Sequence, residues 1–386
     1  MIKFSTRRNL IYVLLLILSY YIRKIILVII GSIYGFTNSI FFTTLMFLGE
    51  MTTGFIINKY QKDYLPKRKE ESKKGLIYKK SEIIQIDSNI KIYLLYFMIA
   101  FFDFVEFTIS VLYLPKYQEF PGSLENRLCG LLIIISSLIY YYVLKFPIFK
   151  HQFFSLIIIG ICLIIVIISE IIFQRNTIFF LYSQFIQFIV LILFEVFFLA
   201  LLDCADKYLM EYNSIPPCKI LIYEGLVGAF FSFIGFIEDK PFTKMKIVYD
   251  KFSAGYFVLF IFLLFMYFVF SGFKNIYRLL TNKLYSPMAE TLANYFLNPF
   301  FMIYDYTSGG DYTIKGEQNF LYFFINLILS IVISFTGFVY NEFIVLFCCG
   351  LEHDTYKQIS ERAADSLENE IKELNNIGIE DDDENE

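Results

Sequence analysis

Tryptophan is absent from this chain, and histidine occurs only twice among 386 residues. Both histidines, His151 and His353, fall at predicted loop positions, whereas an intramembrane metal site or acyl transferase needs a histidine inside an apolar segment. The sequence also contains no Gly-rich phosphate-binding loop followed by Lys and Ser or Thr. These absences argue against an ATP-driven pump in this chain and against an enzyme, so we expect no catalytic residue, no metal and no cofactor.

Cysteine pairs with the spacing of disulfide or zinc frameworks are also lacking. None of the six cysteines belongs to a C-x-x-C motif, and all lie inside or at the edges of apolar runs. We interpret them as small packing residues. They are Cys129, Cys162, Cys204, Cys218, Cys348 and Cys349.

Apolar residues, in contrast, make up 57% of the chain, and charged residues only 18%, against about a quarter in soluble domains. Heavy use of Ile, Phe, Tyr, Asn and Lys is typical of A+T-rich genomes, but codon usage does not arrange apolar residues in runs of about 20, the length that crosses a hydrocarbon core. We therefore predict an all-α membrane protein with ten transmembrane helices. The predicted spans are about Leu10–Ile30, Tyr34–Ile57, Ile92–Leu114, Leu128–Leu144, Gln152–Phe173, Ile178–Cys204, Ile220–Ile237, Ala254–Phe273, Met288–Ile303 and Phe320–Phe347.

The loops divide the chain into a transmembrane domain, residues 1–350, and an acidic tail, residues 351–386. The tail begins with helical spacing of apolar residues and ends in a run of acids, which predicts a short surface helix followed by disorder. Lysine and arginine accumulate in the loop 58–91, which the positive-inside rule places in the cytoplasm with both termini. Only the loop Glu238–Lys251, with four lysines, runs against this pattern. Because no cleavage site follows Arg7 and Arg8, we expect the first span to be retained.

Four short stretches resemble the drug/metabolite transporter superfamily, and within it the F-type branch of solute carrier family 35, which is related to nucleotide-sugar transporters. Met46–Glu50 reads MFLGE, and Ala205–Leu209 resembles the charged turn of that branch. Ile222–Gly228 is similar to its EGL-G helix start, and Gly337–Asn341 to its terminal G-x-x-YN. The stretches occur in the expected order from the second span to the last.

This resemblance implies two five-helix repeats of inverted topology and a secondary transporter that moves a small polar metabolite by alternating access, with a nucleotide sugar as one candidate. A non-transporting membrane scaffold or regulatory protein of the same fold is the alternative. We expect an endomembrane, such as Golgi, endoplasmic reticulum or lysosome, in preference to the plasma membrane. The expected partners are a small-molecule solute and the lipid bilayer, with a homodimer left open. The basic loop 58–91 has too many acids and too few interleaved aromatics to bind nucleic acid.

Charged residues inside the spans are the first candidates for a binding site, since each one at the bilayer centre costs about 2.5–3.5 kcal/mol on insertion scales. Asp103 and Glu106 are three residues apart and share a helix face, which indicates a functional cavity or a structural ion pair. Glu195 lies well inside its span, and Glu50 lies in the MFLGE stretch.

The other polar residues in the spans could each have more than one role. Arg23 and Lys24 could pair with the acids, contact an anionic substrate or mark a shorter span. Asn294 and Asn298, four residues apart, could bond a neighbouring helix or a solute. Four further acids near span ends are interpreted as side chains that reach the membrane interface. They are Glu170, Asp203, Glu290 and Glu342.

Overall fold

The structure, a computed structural model, describes most of the predicted membrane domain. The described residues are 2–4, 7–61, 89–114, 124, 128, 130–143, 148–174, 178, 181–211, 213, 215–239, 241–284, 298–300, 302–304, 306–307, 313–314, 317–342 and 344–346. Most of the basic loop, most of the ninth predicted span with Asn294, and the acidic tail lie outside them. The helices are α1 Arg7–Tyr34, α2 Ser39–Gln61, α3 Asn89–Thr108, α4 Gly130–Tyr142, α5 Lys150–Phe173, α6 Tyr182–Glu211, α7 Pro217–Asp239, α8 Pro241–Lys251, α9 Ala254–Leu284 and α10 Phe320–Tyr340.

Seven of the described helices are long and apolar enough to cross a membrane: α1, α2, α5, α6, α7, α9 and α10. Large apolar side chains remain exposed on them, as on α5, where Ile157, Ile161, Ile164 and Ile168 follow helical spacing. A continuous exposed apolar face of this kind is suited to lipid. The chain is therefore an all-α, multi-pass membrane protein. The count of ten stays a prediction, because α3 is not among these seven helices, α4 has only 13 residues, and most of the ninth predicted span lies outside the described residues.

Several helix ends differ from the sequence prediction, among them those of α10 and α9. The tenth span was expected to reach Phe347, but α10 ends at Tyr340, and Glu342 adopts a positive φ of 57° that is incompatible with a continuing helix. The chain then forms β4, Ile344–Leu346, which pairs antiparallel with β1, Ile2–Phe4. A second short hairpin joins β2, Thr313–Ile314, to β3, Glu317–Gln318. At the other end of α10, the Asn319 side chain accepts a hydrogen bond of 2.9 Å from the Tyr322 backbone.

The end of α9 differs more from its predicted position than the end of α10 does. The eighth span was expected to stop at Phe273, which leaves Lys274 and Arg278 in the loop that follows, but the helix continues to Leu284 and both side chains are buried. Hydropathy alone predicts the end of a span where charges begin. Here the charges stay inside the protein because, as described below, side chains of other helices surround them.

Helix α2 lies between α7 and α9, and three glycines set the distances. A Cβ on Gly272 of α9 would come within 2.5 Å of the Gly49 carbonyl oxygen, and one on Gly225 of α7 within 2.4 Å of the Met51 nitrogen. Only residues without a Cβ permit such close backbones. Glu50, next to Gly49, is thereby held between α7 and α9.

The remaining helices pack around this centre. Helix α1 runs antiparallel to α9, with the Tyr34 hydroxyl donating a hydrogen bond of 3.0 Å to the Tyr256 carbonyl. Helix α3 contacts α6 and α7. Helix α4 packs on α5 and α6, and α10 packs on α5. At the Ile109–Tyr113 end of α3 the backbone widens into a π-helical turn.

Candidate functional site

A stripe of polar side chains follows one face of α9. Its members are three or four residues apart, except for the adjacent pair Lys274 and Asn275, and this spacing keeps them on the same side of the helix. All are buried, and from first to last they extend over roughly 22 Å at 1.5 Å per residue. They are Tyr267, Ser271, Lys274, Asn275, Arg278 and Asn282.

Arg278 lies at the centre of a buried group of acids, which we call the arginine cluster: Arg278, Asp203, Asp206 and Glu224. Its Nη1 is 3.1 Å from Asp203 Oδ1, and its Nη2 is 3.4 Å from Asp206 Oδ2. The same Nη2 lies 3.2 Å from both carboxylate oxygens of Glu224. One guanidinium group thus joins α6, α7 and α9, a role for which its planar set of donors is suited.

Two further polar contacts extend the arginine cluster toward the end of α9. The Asn282 side-chain amide donates a hydrogen bond of 2.8 Å to Asp203 Oδ1. Lys207 Nζ in turn donates a hydrogen bond of 2.9 Å to the Asn282 carbonyl oxygen. Lys207, which the sequence placed in a cytoplasmic loop, is buried in α6 instead.

Three carboxyl groups meet on the other side of Glu224. We call Glu50, Asp103 and Glu224 the acidic triad, because one oxygen of each lies within 4.8 Å of the others. They come from α2, α3 and α7. The Asn275 side-chain amide donates a hydrogen bond to Glu50 Oε1. Glu50 Oε2 and Asn275 Oδ1, both buried, have no hydrogen-bond partner among the described residues.

The two groups share Glu224, and together with the nearby Lys207 and Lys274 they hold more acid than base. Five buried carboxyl groups face three buried basic side chains, so two negative charges remain in excess if all are ionised. The acids are Glu50, Asp103, Asp203, Asp206 and Glu224, and the bases are Lys207, Lys274 and Arg278. Buried charge is strongly unfavourable unless it is compensated. The site can therefore bind protons, a cation, or a solute that supplies positive charge or hydrogen-bond donors.

The four acidic residues predicted for the site lie in different parts of the structure. Glu50 and Asp103 meet in the acidic triad. Glu106, on the same helix as Asp103, is half-buried and not part of the triad. Glu195 is buried on α6, two turns before Asp203, and also lies outside the triad. Of the two acids on this shared face, Asp103 belongs to the acidic triad and Glu106 does not.

Of the predicted basic and amide residues, the structure describes Arg23, Lys24 and Asn298. Arg23 is half-buried, with Nη1 3.4 Å from Met46 Sδ on α2 and its guanidinium 5.9 Å from the Tyr20 ring centre. Lys24 is half-buried on the same helix. Asn298 is buried, and Asn294 lies outside the described residues.

Sequence reasoning missed Arg278, Lys274 and Asp206 because it placed them, or their neighbours, in loops. The signal that could have found them is the continuing three-to-four spacing from Tyr267 to Asn282, which extends a helical face past the apolar run. The interfacial interpretation of Asp203 and Glu170 was also wrong. Asp203 is bound by Arg278, and buried Glu170 accepts a hydrogen bond from the Tyr322 hydroxyl.

The chain matches no protein-family model and no curated protein. The resemblance to the drug/metabolite transporter superfamily therefore stays a prediction that depends on the four short stretches.

Proposed function

We propose that this protein is a secondary transporter that moves a small polar solute across a membrane by alternating access. The observation that carries the proposal is the arginine cluster with the acidic triad, buried in a bundle of membrane-spanning helices. Replacing a buried ion cluster by apolar residues is often neutral or stabilising, so such charges are not needed to hold helices together. Ionisable groups inside membrane helices instead commonly mark the path of a solute or ion.

The helix contacts support the two inverted five-helix repeats. Take α1 to α5 as the first repeat, and α6, α7, α9, the predicted ninth span and α10 as the second. In this division α1 corresponds to α6, α2 to α7, α3 to α9 and α5 to α10. The contact of α1 with α9 then corresponds to the contact of α6 with α3. The contact of α2 with α9 corresponds in the same way to that of α7 with α3. In the two remaining pairs, α2 with α7 and α5 with α10, each helix contacts its own counterpart in the other repeat. These six pairs have the most extensive contacts among the described helices.

The position of the acidic triad agrees with this arrangement. Glu50 and Glu224 lie on α2 and α7, which the exchange of repeats pairs with each other, and each stands beside a close-packing glycine, Gly49 and Gly225. In transporters built from inverted repeats, solute and coupling ions bind at the repeat interface near the membrane midplane. The triad is thus the part of the chain that we assign to solute or ion binding.

The charge of the site favours a neutral or cationic solute over a bare anion. A nucleotide sugar would bring its own negative charges and would need basic partners. The basic side chains closest to such a role are those of Arg23 and Lys274, each of which lies 5.9 Å from the Tyr20 ring centre. A nucleotide sugar therefore remains one candidate within the proposed class.

A solute screen on the purified protein in liposomes tests the proposal. We expect uptake of one class among neutral sugars, nucleotide sugars and organic cations. Asp103→Asn should reduce that uptake at least about tenfold, since it removes a charge from the triad, while the protein still inserts and purifies normally. Asp250→Asn, on exposed α8, is the matched control and should leave uptake unchanged.

Two outcomes would contradict the proposal. Wild-type uptake by Asp103→Asn at normal expression would remove Asp103 from the site. Absence of uptake for every solute class would favour the alternative, a membrane scaffold or regulatory protein that retains the fold without transport.

A further inference from the structure

We infer that the acidic triad and Asn275 form a binding site for a divalent metal cation. Glu50, Asp103 and Glu224 offer carboxylate oxygens within 4.8 Å of one another, from three different helices. Hard divalent cations prefer oxygen ligands at about 2.0–2.6 Å, so two ligands on opposite sides of one ion are about 4–5 Å apart. The oxygens of the triad are already separated by distances within this limit.

Asn275 gives an observation that is independent of the acids. It is almost fully buried, and its amide nitrogen, bound to Glu50, directs the side chain toward the triad. Its Oδ1 has no hydrogen-bond partner in the part of the chain that the structure describes. Buried amide oxygens are nearly always satisfied, and a side-chain carbonyl oxygen is an ordinary ligand of hard cations.

The second oxygen of Glu50 points to the same conclusion. Glu50 is fully buried, yet none of the described residues donates a hydrogen bond to its Oε2. A carboxylate oxygen that water cannot reach and no donor contacts needs a positive partner. A cation held by the triad would supply that positive partner.

The local charge favours a divalent ion over a monovalent one. Arg278 divides its single charge among Asp203, Asp206 and Glu224, and Lys274 is the other cation that acts on Glu50. With Lys207 included and all five carboxyl groups ionised, two negative charges remain, which is the charge that one divalent cation neutralises. Arg278 also fixes Glu224 from one side, so that Glu224 keeps its place toward the triad.

This inference deepens the proposed function, because in a transporter the ion would serve as a coupling ion or as a bridge to the solute. Its coupling role rests on that function, whereas binding itself does not require transport. Failure of the binding experiment would therefore leave the proposed function untouched, and failure of uptake would leave the ion site untouched.

The test uses Mn²⁺ as the probe on the purified full-length protein in nanodiscs, with electron paramagnetic resonance to count free and bound ion. We expect a single bound Mn²⁺ that Mg²⁺ displaces. Glu50→Gln and Asp103→Asn keep side-chain volume and remove one ligand charge each, and should weaken binding by more than the roughly 10–100-fold that loss of an outer-shell partner brings. Asp250→Asn should bind Mn²⁺ as the wild type does.

The wild-type measurement is decisive even if a variant fails to fold. Absence of bound Mn²⁺ at millimolar concentration in folded, monodisperse wild-type protein would overturn the inference and leave protons as the compensating charge. Unchanged Mn²⁺ affinity in a folded Glu50→Gln or Asp103→Asn protein would overturn it as well, since the ion would then bind elsewhere.

Discussion

Arg278 is the residue on which the buried charges of α6, α7 and α9 depend. Its guanidinium is within 3.4 Å of Asp203, Asp206 and Glu224, all of them shielded from water. Breaking a buried ion pair from one side is far more destabilising than removing both partners, because the remaining charges lose their compensation. The arginine cluster is thus both the polar centre of the membrane domain and its most sensitive point.

We expect Arg278→Gln to lower the free energy of unfolding by about 3–5 kcal/mol, the range for a buried pair that loses one partner. Thermal unfolding of the purified protein in one fixed detergent measures this. Lys59→Gln, an exposed basic residue near the end of α2, is the matched control and should change stability little.

A companion variant separates charge from packing. Arg278→Gln combined with Asp203→Asn removes one of the uncompensated acids and should recover part of the lost stability, so that the two changes are not additive. Additive losses would show that Arg278 stabilises the fold by its volume and not by its charge.

At the scale of the helices, close backbone contact places Glu50 in the site. Helix α2 can approach α9 only because Gly272 has no side chain where the Gly49 carbonyl oxygen and Thr53 lie. Gly160 on α5 differs, since a Cβ there would meet only Ile134 Cδ1 at 4.0 Å. The two glycines allow the effect of close packing to be separated from helix propensity.

We expect Gly272→Ala to destabilise the protein by about 1–3 kcal/mol, because the added methyl group forces α9 away from α2. Gly160→Ala, which meets no such obstacle, should be neutral or stabilise by up to about 1 kcal/mol through helix propensity. Thermal unfolding of both variants under the same conditions tests the difference. Equal effects of the two substitutions would contradict the close contact between α2 and α9.

The sequence predicted most described helices well, because their apolar runs need no knowledge of neighbours. It failed where a helix continues through charged residues, since hydropathy treats Lys274 and Arg278 as groups that must reach water. Their burial depends on Asp203, Asp206 and Glu224, which come from other helices. The composition of the site is therefore a property of tertiary packing, although Glu50 and Asp103 could be named from their place inside apolar runs.

At the scale of the whole molecule, the helix directions bear on topology. The C-terminal end of α1 meets the N-terminal end of α9, where Tyr34 bonds Tyr256. Gly49 packs beside Phe268 and Gly272, and Thr53 beside Gly272, so α2 and α9 run in the same direction. Their C-terminal ends, Gln61 and Leu284, therefore face the same side of the membrane, and α8 lies at the opposite side.

We accordingly predict that residues 62–88 and the tail after Leu351 share the cytoplasmic side, as the excess of lysine and arginine in alternate loops requires. Protease protection of epitope tags in sealed endomembrane vesicles with the cytoplasmic face outward tests this. Tags in residues 62–88 and in the tail should be cut, whereas a tag at residue 240, between α7 and α8, should be protected until detergent is added. If the tail is protected while residues 62–88 are cut, the chain crosses the membrane an odd number of times between them, and the arrangement in two five-helix repeats cannot hold.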